Sequence, residues 1–199
     1  MVTVSTENYI SQGLHRKVYI HPEDNSKCIK VLFHPDGTKE MAREKSYFSH
    51  LNKRDISWSH MPRYHGAIDT NDGEGLIYEL IRDYTGDISD TLEHCFEDAK
   101  KTAKYADIIR NALTELKEYL LTNGIVTMTI KPKNILLQFE SETQAKLVVV
   151  DNVGTSDFIP VCQYVRSLAR SKTNRKWQRF IKASIAEYPD NPHIAGLFE

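Results

Sequence analysis

The sequence predicts an α+β fold, with a small antiparallel sheet and one helix in its first part and a mainly helical second part. Three observations carry this expectation. Strand-forming runs punctuated by turn signals occupy much of residues 9–81. Ile109, Leu113, Leu116 and Leu120 recur at helical spacing along a long helix. A β-branched hairpin over residues 135–150 then delivers Asp151 into a loop closed by Gly154.

A chain of 199 residues has room for one domain, or for two tightly packed lobes. At 40% hydrophobic it can bury a real core, and a formal net charge of −1 gives the whole chain no bias toward nucleic acid or membranes. Cys28, Cys95 and Cys162 are odd in number and far apart, which suits neither a zinc site nor a disulfide framework. No basic-then-apolar leader opens the sequence, and no apolar run approaches the ~20 residues that span a bilayer. The expectation is a reduced, cytoplasmic protein without a transmembrane segment.

Residues 9–19 read as a strand that turns at Gly13, with Arg16 and Lys17 just beyond. An ordinary basic hairpin turn is one reading of this stretch. Residues 27–33 are rich in strand formers and contain Lys30, whose burial in an apolar run requires a partner. The helix over residues 39–51 supplies one. Glu44 shares a face with Tyr47, Phe48 and Leu51, and Glu40 lies one turn earlier on the same stripe. A solvent-facing Lys30 on an edge strand is the alternative.

Residues 55–59 read as a loop. Two strands, 61–68 and 75–81, flank the Asn71-Asp72-Gly73 turn. Residues 83–99 are polar and acidic, with Ser89 or Asp90 able to cap a short helix from Thr91. One long helix follows over residues 102–121 and ends at Asn123-Gly124, the left-handed pair expected at a helix C-terminus.

The stretch after Gly124 carries Thr129, Lys131, Pro132 and Asn134 before the hairpin, and Asp151 after it. An amide oxygen and a carboxylate thus stand at the ends of adjacent strands with a lysine beside them. Hard oxygen ligands suit Mg²⁺, which keeps several waters and is completed by substrate phosphates.

The order of Lys131, Asn134, Asp151 and Gly154 resembles the catalytic and metal loops of the protein-kinase-like superfamily. More narrowly, IVTMTIKPKNIL, GLHRKVYIHPED, CIKVLFH and MPRYHGAI resemble the small bacterial YrbL family of the PhoP regulatory network. The resemblance runs along most of the chain. It implies a bilobal protein-kinase-like fold in a single domain, with an N-lobe over residues 1–81 and a reduced C-lobe over 82–199. It implies ATP, or another nucleotide, with Mg²⁺ as ligand. Gly13, Arg16 and Lys17 become the phosphate-covering loop, Lys30 the phosphate-holding lysine paired with Glu44, and Glu79 to Arg82, including Ile81, the hinge that meets adenine. Asn134 and Asp151 become the metal ligands, and Lys131 a catalytic-loop group. Two positions depart from the pattern: Thr129 stands where the catalytic aspartate belongs, and Asp151-Asn152-Val153-Gly154 is one residue longer than the usual metal loop.

After Gly154 the chain has no Ala-Pro-Glu motif and little room for a peptide-binding platform. Residues 163–182 read as one or two helices carrying Arg166, Arg170, Lys172, Arg175, Lys176, Arg179 and Lys182, with Trp177, Phe180 and Ile181 as the buried face. Such a helix suits an acidic protein or a phosphorylated ligand, with nucleic acid still open, or it is simply a solvated face. Residues 189–199 read as a tail.

Three functions follow. The favoured one is a pseudokinase, because Thr129 is a poor base near neutral pH and general-base help is worth roughly 10²–10⁴-fold. The second is an atypical phosphotransferase or nucleotidyltransferase, favoured by retention of the metal residues. The third is a nucleotide-independent binding module working through the basic helix. No His-Glu-x-x-His or Gly-x-Ser-x-Gly motif supports zinc or acyl hydrolysis.

Overall fold

The computed structural model describes residues 1–154 and 165–199, without the side chain of Arg166. The chain divides into two compact units, one of Met1–Trp58 and Pro62–Leu80, the other of Ser59–Met61 and Ile81–Glu199.

The first unit is a five-stranded antiparallel sheet with one helix. Its strands are β1 (Tyr9–Gln12), β2 (Arg16–His21), β3 (Asp24–Leu32), β4 (Tyr64–Thr70) and β5 (Gly73–Glu79), in the order β1-β2-β3-β5-β4. Helix α1 (Thr38–Leu51) lies between β3 and β4 in sequence and buries Met41, Glu44, Tyr47, Phe48 and Leu51. Its Phe48 ring meets Tyr78 at 5.1 Å and Tyr64 at 5.9 Å. Side chains alternate along a strand, so the register decides what faces the helix. Lys30 lies opposite Val18 and Leu76, Cys28 opposite Tyr78, and Arg16 opposite Leu32. Arg16, Lys30 and Tyr78 therefore project to the face that α1 covers. Ile29, Val31 and Ile77 point the other way, into a second cluster with Val2, Val4, Tyr19 and Ile68. The N-terminal residues are tied down there, with Val2 bridged to Thr70 and Val4 N–H donating to Asn71 Oδ1 at 2.7 Å.

The second unit is mainly helical around one hairpin. Thr91, rather than Ser89 or Asp90, caps α2 (Leu92–Phe96), its hydroxyl accepting the His94 N–H at 3.2 Å. The single helix expected over 102–121 is two, α3 (Ala99–Lys104) and α4 (Ala106–Asn123). Asp98 starts α3 early by accepting the Lys100 and Lys101 N–H groups, and Tyr105 breaks the helix while its ring packs on Phe139 at 4.9 Å. Along α4 the apolar stripe is buried as its period requires, and Gly124 closes it at φ 60°, ψ 38°, a left-handed geometry glycine adopts without strain. Strands β6 (Ile135–Phe139) and β7 (Ala145–Val149) pair antiparallel. The last helix, α5 (Arg166–Glu187), is a single one, and residues 163–164 of the expected span lie outside the described residues, as does Cys162.

The C-terminal residues are not a tail. Ile194 and Leu197 are buried, and the Phe198 ring packs on Phe180 at 5.6 Å. The buried Asn191 donates to the Phe96 carbonyl at 2.8 Å and the Thr102 hydroxyl at 2.9 Å. The pattern Ile194, Leu197, Phe198 gives one turn an apolar face, too short to stand out beside two prolines.

Candidate functional site

In the first unit, Glu44 gathers three side chains. Its Oε2 accepts from the Arg16 guanidinium at 2.8 Å, its Oε1 accepts from the Tyr78 hydroxyl at 2.7 Å, and the Lys30 ammonium stands 4.0 Å from Oε1. Lys30 also lies 4.7 Å from the Tyr78 ring centroid, within cation–π reach. Glu44 is 1% exposed and Lys30 7%, so both charges are nearly dry and their pairing is what permits their burial. Burial, then the Glu44 charge, pushes the Tyr78 hydroxyl far above the usual tyrosine range and keeps it a donor. Lys30 lies on an inner strand between β2 and β5, so the edge-strand alternative does not hold. Glu40 is exposed, which leaves Glu44 as the carboxylate of this stripe.

Of the residues expected to cover phosphate, Arg16 has its guanidinium engaged with Glu44. Gly13 N–H is likewise spent on the Arg16 carbonyl at 2.8 Å, closing the β1–β2 turn. Lys17 lies 5.7 Å from the Phe33 ring centroid. Near the expected hinge, Glu79 N–H donates to the Arg63 carbonyl at 3.0 Å and Leu80 N–H to Ser26 at 2.8 Å. The Ile81 carbonyl accepts from Ser89 N–H at 3.1 Å, and the Ile81 side chain is buried.

In the second unit, the hairpin register sets the metal-type residues side by side. Ile135 pairs with Val149, and the Val150 N–H donates to the Asn134 carbonyl at 3.0 Å. Asn134 and Asp151 therefore flank the same end of the hairpin. Asp151 Oδ1 accepts the Asn152 N–H at 2.9 Å. Asn134 is buried, and its Nδ2 meets no partner among the described residues. A buried amide with unspent hydrogen-bonding capacity is what a bound ligand or water satisfies. Mg²⁺ needs only one or two protein oxygens beside phosphate and water, and the Asn134 and Asp151 oxygens are of that kind; Asn134 Nδ2 is a donor and suits a water or phosphate oxygen instead.

The extra residue of the metal loop has a visible part. Asn152 takes φ 59°, which asparagine tolerates better than most residues, and donates from Nδ2 to Thr129 Oγ1 at 3.0 Å. Met128 N–H donates to the Asn152 carbonyl at 2.7 Å, and Gly154 N–H to Val126 at 2.7 Å. The two loops are laced together, and Thr129 is tied by its hydroxyl to the loop that follows Asp151. Lys131 is exposed at the start of the turn that carries Pro132 and Asn134. Sequence reasoning missed Asn152 and Tyr78. The one residue added to the metal loop was the available signal for Asn152, while Tyr78 required the strand register.

Helix α5 buries Ala169, Thr173, Trp177, Phe180 and Ser184, a regular stripe, with Ile181 only half-buried. Two of its cations turn to backbone. Arg170 donates to the Leu121 carbonyl at 3.2 Å, and the Lys176 ammonium to the Met128 carbonyl. Arg175 and Arg179 are exposed. The Arg166 side chain lies outside the described residues. Among the described residues, no helix is long and apolar enough to cross a membrane.

Residues 2–184 match the family model of the PhoP regulatory network protein YrbL. The chain is 41% identical over 183 residues to the uncharacterized protein YrbL of Escherichia coli strain K12, an alignment that takes in 91% of this chain and 87% of that one. The YrbL protein of Shigella flexneri matches with the same figures. A crystal structure of a kinase domain superposes at TM-score 0.54 and 17% identity, covering 76% of this chain and 52% of that one. The chain spans about half the length of that kinase domain, and the likeness speaks for the fold, which is protein-kinase-like. With the family model and the relatives agreeing over nearly the whole sequence, the chain belongs to the PhoP regulatory network protein YrbL family.

Proposed function

We propose that this chain binds ATP, or another nucleotide, with Mg²⁺ and acts as a pseudokinase in the PhoP-linked network of its family, in the cytoplasm. The observation that supports the reading is the hydrogen bond from Asn152 to Thr129, the residue that on the kinase resemblance replaces the catalytic aspartate, with Lys30, Glu44, Asn134 and Asp151 retained. Lys30 would hold phosphate, and Asn134 with Asp151 would hold the metal. When bound, the ion would supply charge neutralisation for the phosphates. Thr129 can orient a hydroxyl but is a poor acceptor of its proton at neutral pH, so binding outlasts turnover. The network role would then run through conformation or docking of a partner.

Retention of both metal-type residues favours a second reading, a slow phosphotransferase or nucleotidyltransferase. A turnover assay with Mg–ATP separates the two. The pseudokinase reading expects nucleotide binding with no turnover above buffer. Turnover in wild type that vanishes in Asp151→Ala would overturn it in favour of the enzyme.

A further inference from the structure

A cavity of about 190 Å³ opens in the second unit between residues 128–132 and α5. Its α5 wall is formed by Lys176, Arg179, Phe180, Ala183 and Glu187, a face adjoining the buried stripe. Ile130, Pro132, Phe180 and Ala183 supply apolar surface. Thr129 and Lys131 stand on the opposite side.

The charges are unevenly placed. Lys131 and Arg179 are exposed, and neither is paired with a carboxylate among the described residues. Lys176 adds a third positive charge while its ammonium stays on the Met128 carbonyl. The sole acid of the lining, Glu187, lies eight residues beyond Arg179, about 12 Å along the helix axis. On the α5 wall Lys176 and Arg179 therefore lie toward one end and Glu187 toward the other, with Phe180 and Ala183 between them. The volume is below the roughly 300–1,000 Å³ of drug-sized sites, so the occupant is compact.

We infer that this cavity binds a small phosphomonoester, its phosphate held by Lys131 and Arg179 and its short organic part resting on Phe180 and Ala183. Arginine and lysine together recognise a dianionic phosphate through charge-assisted hydrogen bonds. Thr129 contributes here as well, because a carboxylate at that position would repel the phosphate. The site shares Thr129 and Lys131 with the loop of the nucleotide reading but includes neither Asn134 nor Asp151, so loss of a metal residue separates the two. It also narrows the basic helix to one face: Arg170 is occupied at the Leu121 carbonyl, and Arg175 is not part of the lining.

The test is calorimetric titration of the full chain, without nucleotide, using glycerol 3-phosphate and, separately, vesicles containing phosphatidic acid. Binding of glycerol 3-phosphate, weakened about tenfold or more in Arg179→Gln and in Lys131→Gln and unchanged in Lys30→Met, supports the assignment to a soluble ligand. Binding of the vesicles alone, with the same dependence on Arg179, supports it with a lipid headgroup as the source. Silence toward both probes at millimolar phosphate would overturn it, as would binding that Lys30→Met abolishes and Arg179→Gln leaves intact. Melting curves of both glutamine variants should match wild type, since neither side chain has a described partner. Asp151→Ala should keep this response even where it loses any response to Mg–ATP.

Discussion

The Arg16 guanidinium approaches Glu44 at 2.8 Å, while the Lys30 ammonium stands 4.0 Å from the other carboxylate oxygen. Glu44 thus has an arginine as its nearer cation and shares its second oxygen between Tyr78 and Lys30. Strand alternation explains the geometry, because Arg16 on β2, Lys30 on β3 and Tyr78 on β5 all project toward α1.

Glu44 is accordingly central to the stability of the first unit. Glu44→Ala removes the carboxylate that the buried Lys30 and the half-buried Arg16 both face, and breaking such a pair costs about 3 kcal/mol or more. Urea unfolding monitored by circular dichroism should show that loss, and Glu40→Ala, at an exposed position, should show almost none.

Acid should weaken the second unit through His60. Its Nδ1 lies 2.8 Å from the Leu147 carbonyl, so Nδ1 carries the proton and donates, and its ring packs on Tyr119 at 4.9 Å. Burial holds the His60 pKa below its usual value despite that hydrogen bond. The folded state therefore binds the second proton less readily than the unfolded state. Its stabilising contribution is present above pH ~6.5 and is lost as pH falls through the lowered folded value. Melting temperature between pH 7.5 and 5 should fall more steeply in wild type than in His60→Asn.

Thiol chemistry offers a check on burial. Cys28 is enclosed by the α1 face of the sheet, and burial pushes its thiol up to about 11; burial raises Cys95 as well. Neither should react with a maleimide at pH 8 until the chain unfolds. Fast native labelling of Cys28 in a Cys95→Ser, Cys162→Ser background would contradict the packing.

Asn191 tests whether the C-terminal residues are structural. Asn191→Ala leaves the buried Phe96 carbonyl without this donor and should cost about 1–3 kcal/mol. A true tail would tolerate the change without a shift in the denaturation midpoint.

Much of this molecule could be read from local chemistry. The Gly124 cap, the α4 stripe, the hairpin and the Glu44 face each follow from spacing or from a residue with one conformational use. What escaped depended on contacts distant in sequence. Arg16 reached Glu44 because a register set it opposite Leu32, which no local pattern reveals. Asp98 and Tyr105 divided a continuous helical pattern by a cap and a ring contact, each stronger than propensity. The role of the last residues was hidden because the buried Asn191 meets Phe96 and Thr102, which lie 95 and 89 positions away. Lys176 reads as a surface charge until the Met128 carbonyl is seen beside it.

A thermal-shift titration of Mg–ATP on wild type and Asp151→Ala tests the central claim most directly. Ligand binding to the folded state alone stabilises by roughly 2.7 kcal/mol at a hundredfold excess over Kd. The account predicts a rise in melting temperature that needs Mg²⁺ and disappears in Asp151→Ala. A wild-type melting temperature unmoved by millimolar Mg–ATP would contradict it.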